Sequence, residues 1–234
     1  SLIHLMRVNI LKRLESSVHS FKLTVSKLLD QVYGILEAID LHREGYQDAG
    51  SMDDINILDI DPDDTEFEDL LIGNKIKVLL QDVDTIKWKQ ELEEDRNILE
   101  RLLRMAESVE PSNDAKLDKL RETIVEKLKR PINQGNRKIL IFTTFSDTAK
   151  YLYDNLAEQT SRLGINAALV TGSDINRSTL RVPKGYRNQV KFSDINTVLT
   201  LFSPKSKKGE KIFPFIDEEI DLLIATDCIS EGQN

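Results

Sequence analysis

The sequence predicts an α/β fold for its second half, a parallel sheet with right-handed crossovers, preceded by an all-helical region. Three observations carry that expectation. Residues 11–39 repeat apolar side chains at the three- and four-residue steps of a helix. Beyond Pro131 the pattern changes to short apolar, β-branched runs at 138–142, 167–170 and 220–225. Helical patterns separate these runs, and strands alternating with helices build parallel sheets with right-handed crossovers.

In the helical region, Leu11, Leu14, Val18, Phe21, Val25, Leu28, Val32, Ile35 and Ile39 form one apolar seam on a single long helix. Leu29 and Leu36 widen the stripe, so it is expected to pack on helices of its own domain in preference to pairing as a coiled coil. From Glu44 to Asp69 there are eleven acidic residues and no Lys or Arg, broken by Gly45, Gly50 and Pro62. That segment reads as a solvated acidic loop, 44–69, ahead of the alternative that it mimics nucleic acid. A second helix spans Asp84 to Ser108, with Ile86, Leu92, Leu99, Leu102, Leu103 and Ala106 on its apolar face and Trp88 as an anchor in the helical core. A third runs from Asn113 through Leu117, Leu120, Ile124 and Leu128 and stops at Pro131. The chain therefore divides into a helical region, 1–112, and an α/β region, 113–234.

In the α/β region the turn Asn133-Gln134-Gly135-Asn136 leads into the strand Lys138 to Phe142, and Ser146 and Asp147 are placed to cap the next helix. That helix turns Ala149, Leu152, Tyr153 and Leu156 inward. Ala167 to Val170 is the second strand, a basic and poorly patterned stretch follows, Ile195 to Phe202 is a helix, and Ile220 to Ala225 is the third strand.

Composition narrows the function classes. The chain has 234 residues with 40% apolar content, enough for a globular core. It carries no apolar run long enough to span a bilayer and no secretory signal pattern at SLIHLMRVNILKR, so no membrane role is expected. Cys228 is the only cysteine, which excludes an internal disulfide and a Cys-rich zinc site and fits a reducing cytoplasm. His4, His19 and His42 are scattered without partner ligands, and no metal site is expected. The net charge of −8 is uneven: residues 137–234 hold 13 basic against 12 acidic side chains, and residues 1–136 hold 19 against 28. Between Arg177 and Lys211 there are nine basic residues and only Asp194 and Glu210 as acids.

Ligands of parallel α/β sheets sit beyond the carboxyl ends of the strands. Three short polar clusters stand there: Thr143-Thr144-Phe145-Ser146, Thr171-Gly172-Ser173, and Thr226-Asp227 with Ser230-Glu231-Gly232. Hydroxyls and open backbone amides suit phosphate oxygens, although each cluster alone could serve only to cap a helix or close a turn.

Taken together, these segments resemble a known family. DAKLDKLRETIVEKL followed by RKILIFTTFSDTAKYLYDNL resembles the entry to the second RecA-like lobe of superfamily-two helicases and translocases, with its motif IV strand. ALVTGS resembles the next strand and its phosphate-contacting turn, and IDLLIATDCISEGQN resembles motif V. The resemblance covers residues 114–234, and LMRVNILKRLESSVHSF is similar to the segment that joins the first lobe to a helical insertion in bacterial Swi/Snf-type helicases.

The resemblance implies a RecA-like sheet in which Thr143, Thr144, Thr171, Gly172, Ser173 and Thr226 hold the nucleic-acid backbone. Asp227, Glu231 and Gly232 would couple that contact to an ATP cleft shared with the first lobe. It implies DNA as partner ahead of RNA, with ATP and Mg²⁺ held mainly by the first lobe. No G-x-x-x-x-G-K-[ST] occurs and no DEAD- or DEAH-type acidic pair follows a strand, so residues 1–234 by themselves are expected to be catalytically inactive. The sequence also stops before the motif VI arginine of the family, which implies a lobe truncated after motif V. Arg177, Arg181, Lys184, Arg187, Lys191, Lys205, Lys207, Lys208 and Lys211 form an insertion expected beside the nucleic-acid track, either as an added contact or as a solvated loop. Two competing readings remain: an RNA-directed helicase lobe, and a non-catalytic protein-interaction module built on the helical region.

Overall fold

The computed structural model describes residues 2–43, 84–172 and 176–227. The acidic loop at 44–69 lies outside the described residues. The chain divides into a helical unit and an α/β unit, with the division after Glu110.

The helical unit contains α1 (Leu2–Ser16), α2 (Val18–Arg43) and α3 (Thr85–Glu107). The seam expected on one long helix is interrupted at Ser17. The Ser17 side-chain oxygen accepts from the Ser20 backbone N–H at 3.0 Å, which is the bond of an N-cap and starts a new helix. From there α2 follows the seam and packs against α3. Phe21 and Val25 meet Ala106 with Leu99, Leu102 and Leu103 alongside, and Leu36 and Ile39 meet Leu92 and Trp88. Early α2 residues thus meet late α3 residues, so the pair is antiparallel, and Trp88 anchors it as expected. Two expected seam positions, Leu11 and Leu14, and Ile86 of the second helix's expected apolar face are turned to solvent instead, at 62%, 42% and 70% exposed. Here Ile10 faces the α3 cluster and Arg13 is buried, its guanidinium donating to Asn9 and Ser20.

The α/β unit begins with α4 (Ala115–Lys129), capped by Asp114, whose Oδ1 accepts from the N–H groups of Lys116 and Leu117 at 3.0 Å each. Then come β1 (Ile139–Phe142), α5 (Ser146–Arg162), β2 (Asn166–Val170), β3 (Arg177–Ser178), α6 (Ile195–Phe202), α7 (Pro204–Lys207), α8 (Gly209–Ile212) and β4 (Ile220–Ala225). The strand order is β1-β4-β2-β3. β4 lies parallel to β1 and to β2, while β3 runs antiparallel to β2. The sheet is therefore mixed, not wholly parallel: the chain leaving β2 folds back on it, pairing Leu169 with Arg177 and Ala168 with Ser178. The Thr179 hydroxyl extends the return by accepting from the Ala167 N–H at 2.8 Å.

One sheet face, with Ala167, Leu169, Leu222 and Ile224, is covered by α4 and α5 through Leu117, Ile124, Ala149 and Leu156. The other face, with Ala168, Val170, Leu223 and Ala225, is covered by α6 and by Leu180, Val190 and Phe213. The stretch 177–192, unpatterned as sequence, is thus a folded cover. The expected side-chain cap of α5 is not the arrangement found: Phe145 holds the cap position, which it cannot fill by hydrogen bonding, and Ser146 and Asp147 lie in the first turn. No described helix is long and apolar enough to cross a membrane.

Tyr151 of α5 donates from its hydroxyl to Asp114 Oδ2 at 2.8 Å, tying the start of α4 to α5. Burial, then the bond to Asp114, raises the Tyr151 pKa. A free tyrosine loses its proton near pH 10. The unfolded chain therefore sheds this proton first, and the stabilisation is complete below about pH 10 and declines as pH rises above it. Asp114→Ala is expected to cost about 1–3 kcal/mol in urea unfolding at neutral pH, through the lost cap and hydroxyl partner. It should also lower the Tyr151 pKa in an ultraviolet titration, and an unshifted tyrosine titration would contradict the assigned link.

Candidate functional site

The strands β1, β4 and β2 end at one level, because Phe142, Ala225 and Val170 are aligned across the parallel ladders. The ladder continues one step past the last strand residues. The Thr143 N–H donates to the Ala225 carbonyl at 3.0 Å, and the Thr226 N–H donates to the Val170 carbonyl at 3.1 Å. These bonds fix Thr143, Thr226 and Thr171 as the next residues on three adjacent strands. Three of the residues singled out from sequence, far apart along the chain, are thereby brought to one edge of the sheet.

Their exposure differs. Thr171 and Thr226 are buried, Thr143 is half-buried, and Thr144, Gly172 and Asp227 are exposed. Ser173, Glu231 and Gly232 lie outside the described residues, as does Cys228. Helix α5 starts at Ser146, one residue beyond Phe145 that follows Thr144, so its first turn, which includes Asp147, lies at this edge. Ser146 and Thr148 are also buried at that helix start. Among the described residues no group of three or more His, Cys, Asp or Glu gathers where a metal could sit, and no Mg²⁺ ligation is assigned to them.

One residue that organises this edge was not singled out from sequence. Asn176 Oδ1 accepts from the Thr171 N–H at 3.1 Å, and its Nδ2 donates to the Ser193 carbonyl at 3.1 Å. It ties the end of β2 to the residue just before the Asp194 cap of α6. The available signal was an Asn following a Thr-Gly-Ser turn, since short amides bond to nearby backbone.

The second part of the basic stretch, Lys205 to Lys211, does not lie as expected. Helix α6 begins near the carboxyl edge, through Asn176 and Ser193, and ends at Phe202. The Phe202 ring is 5.5 Å from Lys138 Nζ, which also donates to the Ile220 carbonyl at 2.6 Å. Lys138 precedes β1 and Ile220 opens β4, so α6 ends at the amino edge of the sheet. Lys205, Lys207, Lys208 and Lys211 leave from that opposite edge, and all are exposed. Arg177 has a structural task, pairing with Asp154 at 3.2 Å and lying 5.1 Å from the Tyr153 ring centre.

Asn176→Ala is expected to free the Thr171 amide and cost about 1–3 kcal/mol, because a buried donor loses its acceptor. Hydrogen exchange should then quicken at Thr171 while the amides of β1 keep their rates; an unchanged Thr171 rate would reject the role given to Asn176. The chain matches no family model, and no curated protein or solved structure matches it.

Proposed function

We propose that the α/β unit is part of the second motor lobe of an ATP-driven DNA helicase or translocase, and that its strand-end edge holds the nucleic-acid backbone. The observation that carries this reading is the alignment of Thr143, Thr226 and Thr171 on three adjacent strand ends. Those are the positions that the resemblance to motifs IV and V and the intervening phosphate turn marks for backbone contact.

The chemistry suits phosphate. A strand-end edge of hydroxyls beside a helix start offers hydrogen-bond donors without a buried counter-charge, and such contacts position a motor without reading sequence. In this reading Thr143, Thr144, Thr171, Gly172 and Ser173 hold successive phosphates, and Thr226 sits under the same track. Asp227, Glu231 and Gly232 relay the track to the ATP cleft, where a first lobe supplies the groups that bind ATP and Mg²⁺. Closure of the lobes on ATP and reopening after hydrolysis then shifts the track along one strand, a hinge cycle. The helical unit is the insertion that precedes this lobe.

The test uses a protein carrying both lobes, with ATP hydrolysis measured against rising duplex DNA, single-stranded DNA and RNA. A hydrogen bond to a charged oxygen contributes about 1.5–3 kcal/mol. Thr143→Val with Thr144→Val should therefore raise the DNA concentration for half-maximal stimulation by about tenfold or more. Stimulation by RNA alone would move the reading to an RNA-directed helicase. Equal stimulation curves for the parent and the double variant would remove the strand-end site, and a gene encoding no Walker-type lobe would remove the motor.

A further inference from the structure

A groove lies where residues 180–192 fold over the sheet, with a volume of about 690 Å³. Arg181, Lys184 and Arg187 line it together with Val182, Pro183 and Phe192. Its back wall is fixed, because Leu180 and Val190 are buried in the core under it. All three cations are exposed, and among the described residues none is engaged by a carboxylate, in contrast to Arg177 on Asp154.

An aromatic platform stands beside these charges. Lys184–Tyr186 forms one 3₁₀ turn, so Tyr186 adjoins the groove-lining Lys184 and Arg187 along the chain without lining the groove itself. The Tyr186 ring lies flat on Phe215, centroids 3.8 Å apart and planes 6° from parallel, and is 40% exposed. Phe215 in turn meets the buried Phe213 edge-on at 6.2 Å. The exposed ring is thus anchored through two others to the core, and it presents a rigid flat surface at little entropic cost.

We propose that this groove binds single-stranded nucleic acid, at a site separate from the strand-end threonines. Three exposed cations suit the phosphates, and the apolar floor with the Tyr186 ring next to the groove suits unstacked bases, the combination that single strands require. A duplex hides its base faces and would leave the platform without a partner. An acidic peptide would satisfy the cations but has no flat π surface to lay on Tyr186. The two sites share no lining residue: the groove is built from 180–192, and the strand ends from Thr143, Thr144, Thr171, Gly172 and Thr226. The proposal does not depend on the motor-lobe reading.

The test is fluorescence anisotropy of labelled oligothymidylate and oligouridylate with the whole 234-residue chain at increasing KCl. The variant Arg181→Gln/Lys184→Gln/Arg187→Gln should bind more weakly and lower the slope of log affinity against log salt by about 2, three contacts at about 0.7 each. Tyr186→Leu keeps the apolar contact with Phe215 and should weaken binding about tenfold with the slope unchanged. Thr143→Val/Thr144→Val separates the sites: loss there with a silent triple variant assigns all binding to the strand ends and overturns the groove. A polyglutamate chain that binds as tightly as oligothymidylate, with Tyr186→Leu silent, also overturns it in favour of an acidic peptide. Should the triple variant fail to fold by circular dichroism, Lys184→Gln and Tyr186→Leu singly decide the matter, and no change in either rejects the site.

Discussion

Strand β4 is the member on which the α/β unit depends. It is hydrogen-bonded along both edges, to β1 and β2, and covered on both faces, so Ile220, Leu222, Leu223, Ile224 and Ala225 are at most 1% exposed. Each such Leu or Ile contributes about 1.5–3 kcal/mol by leaving water. Asp221 is the polar exception. Burial pushes its carboxyl upward, while the charges of Lys138 and Arg137 pull it back down. The late arrival of β4 in the chain means that β1 and β2 gain their common neighbour only after residue 220. The strand-end arrangement is a by-product of that insertion, because the backbone of β4 and Thr226 stands between Thr143 and Thr171.

The helical unit obeys a narrower rule. Two antiparallel helices bury one stripe each, and a residue on the stripe is covered only where the partner helix runs opposite. Leu92 and Ala106 on α3 mark the covered stretch, and they meet α2 from Phe21 to Ile39. Before that stretch the same spacing places Leu11 and Leu14 in solvent. Polar ties at the margin, such as the Tyr33 hydroxyl donating to Glu100 at 2.6 Å and Lys89 paired with Asp40, register the helices without adding to the core.

Much of this was legible from local pattern. The strand at 220–225, the helix from Asp84 and the helix at 195–202 have their expected limits within a residue or two, because burial on both faces or one strong stripe leaves a clear period. Three features were not legible, each for a physical reason. The break at Ser17 turns on one hydroxyl choosing a backbone partner, which spacing does not encode. The antiparallel β3 has two residues, too few for any period, and owes its place to Thr179 and Asn176. The basic stretch hid its apolar anchors, Leu180 and Val190, among charges because an irregular cover needs only isolated side chains at the right places. At the candidate site the threonines could be found from sequence as residues following parallel strands and so on one edge, whereas the order β1-β4-β2, which sets Thr226 between the other two, could not, since it is a property of pairing.

The two proposed sites would handle anions by different physics. At the carboxyl edge Thr143, Thr171 and Thr226 are held in register by the ladder itself, so a phosphate placed there would meet the half-buried Thr143 and the exposed Thr144 and Gly172 on a rigid base. On the cover over one sheet face the positive charge sits on long exposed side chains, and an interaction there would be governed by screening and by stacking on Tyr186. Binding at the strand ends would be sensitive to displacements of a few tenths of an ångström in the strands, while binding at the groove would tolerate them. A strand that moves in steps needs the first kind of contact to transmit each step. It needs the second kind to stay attached while the first is released.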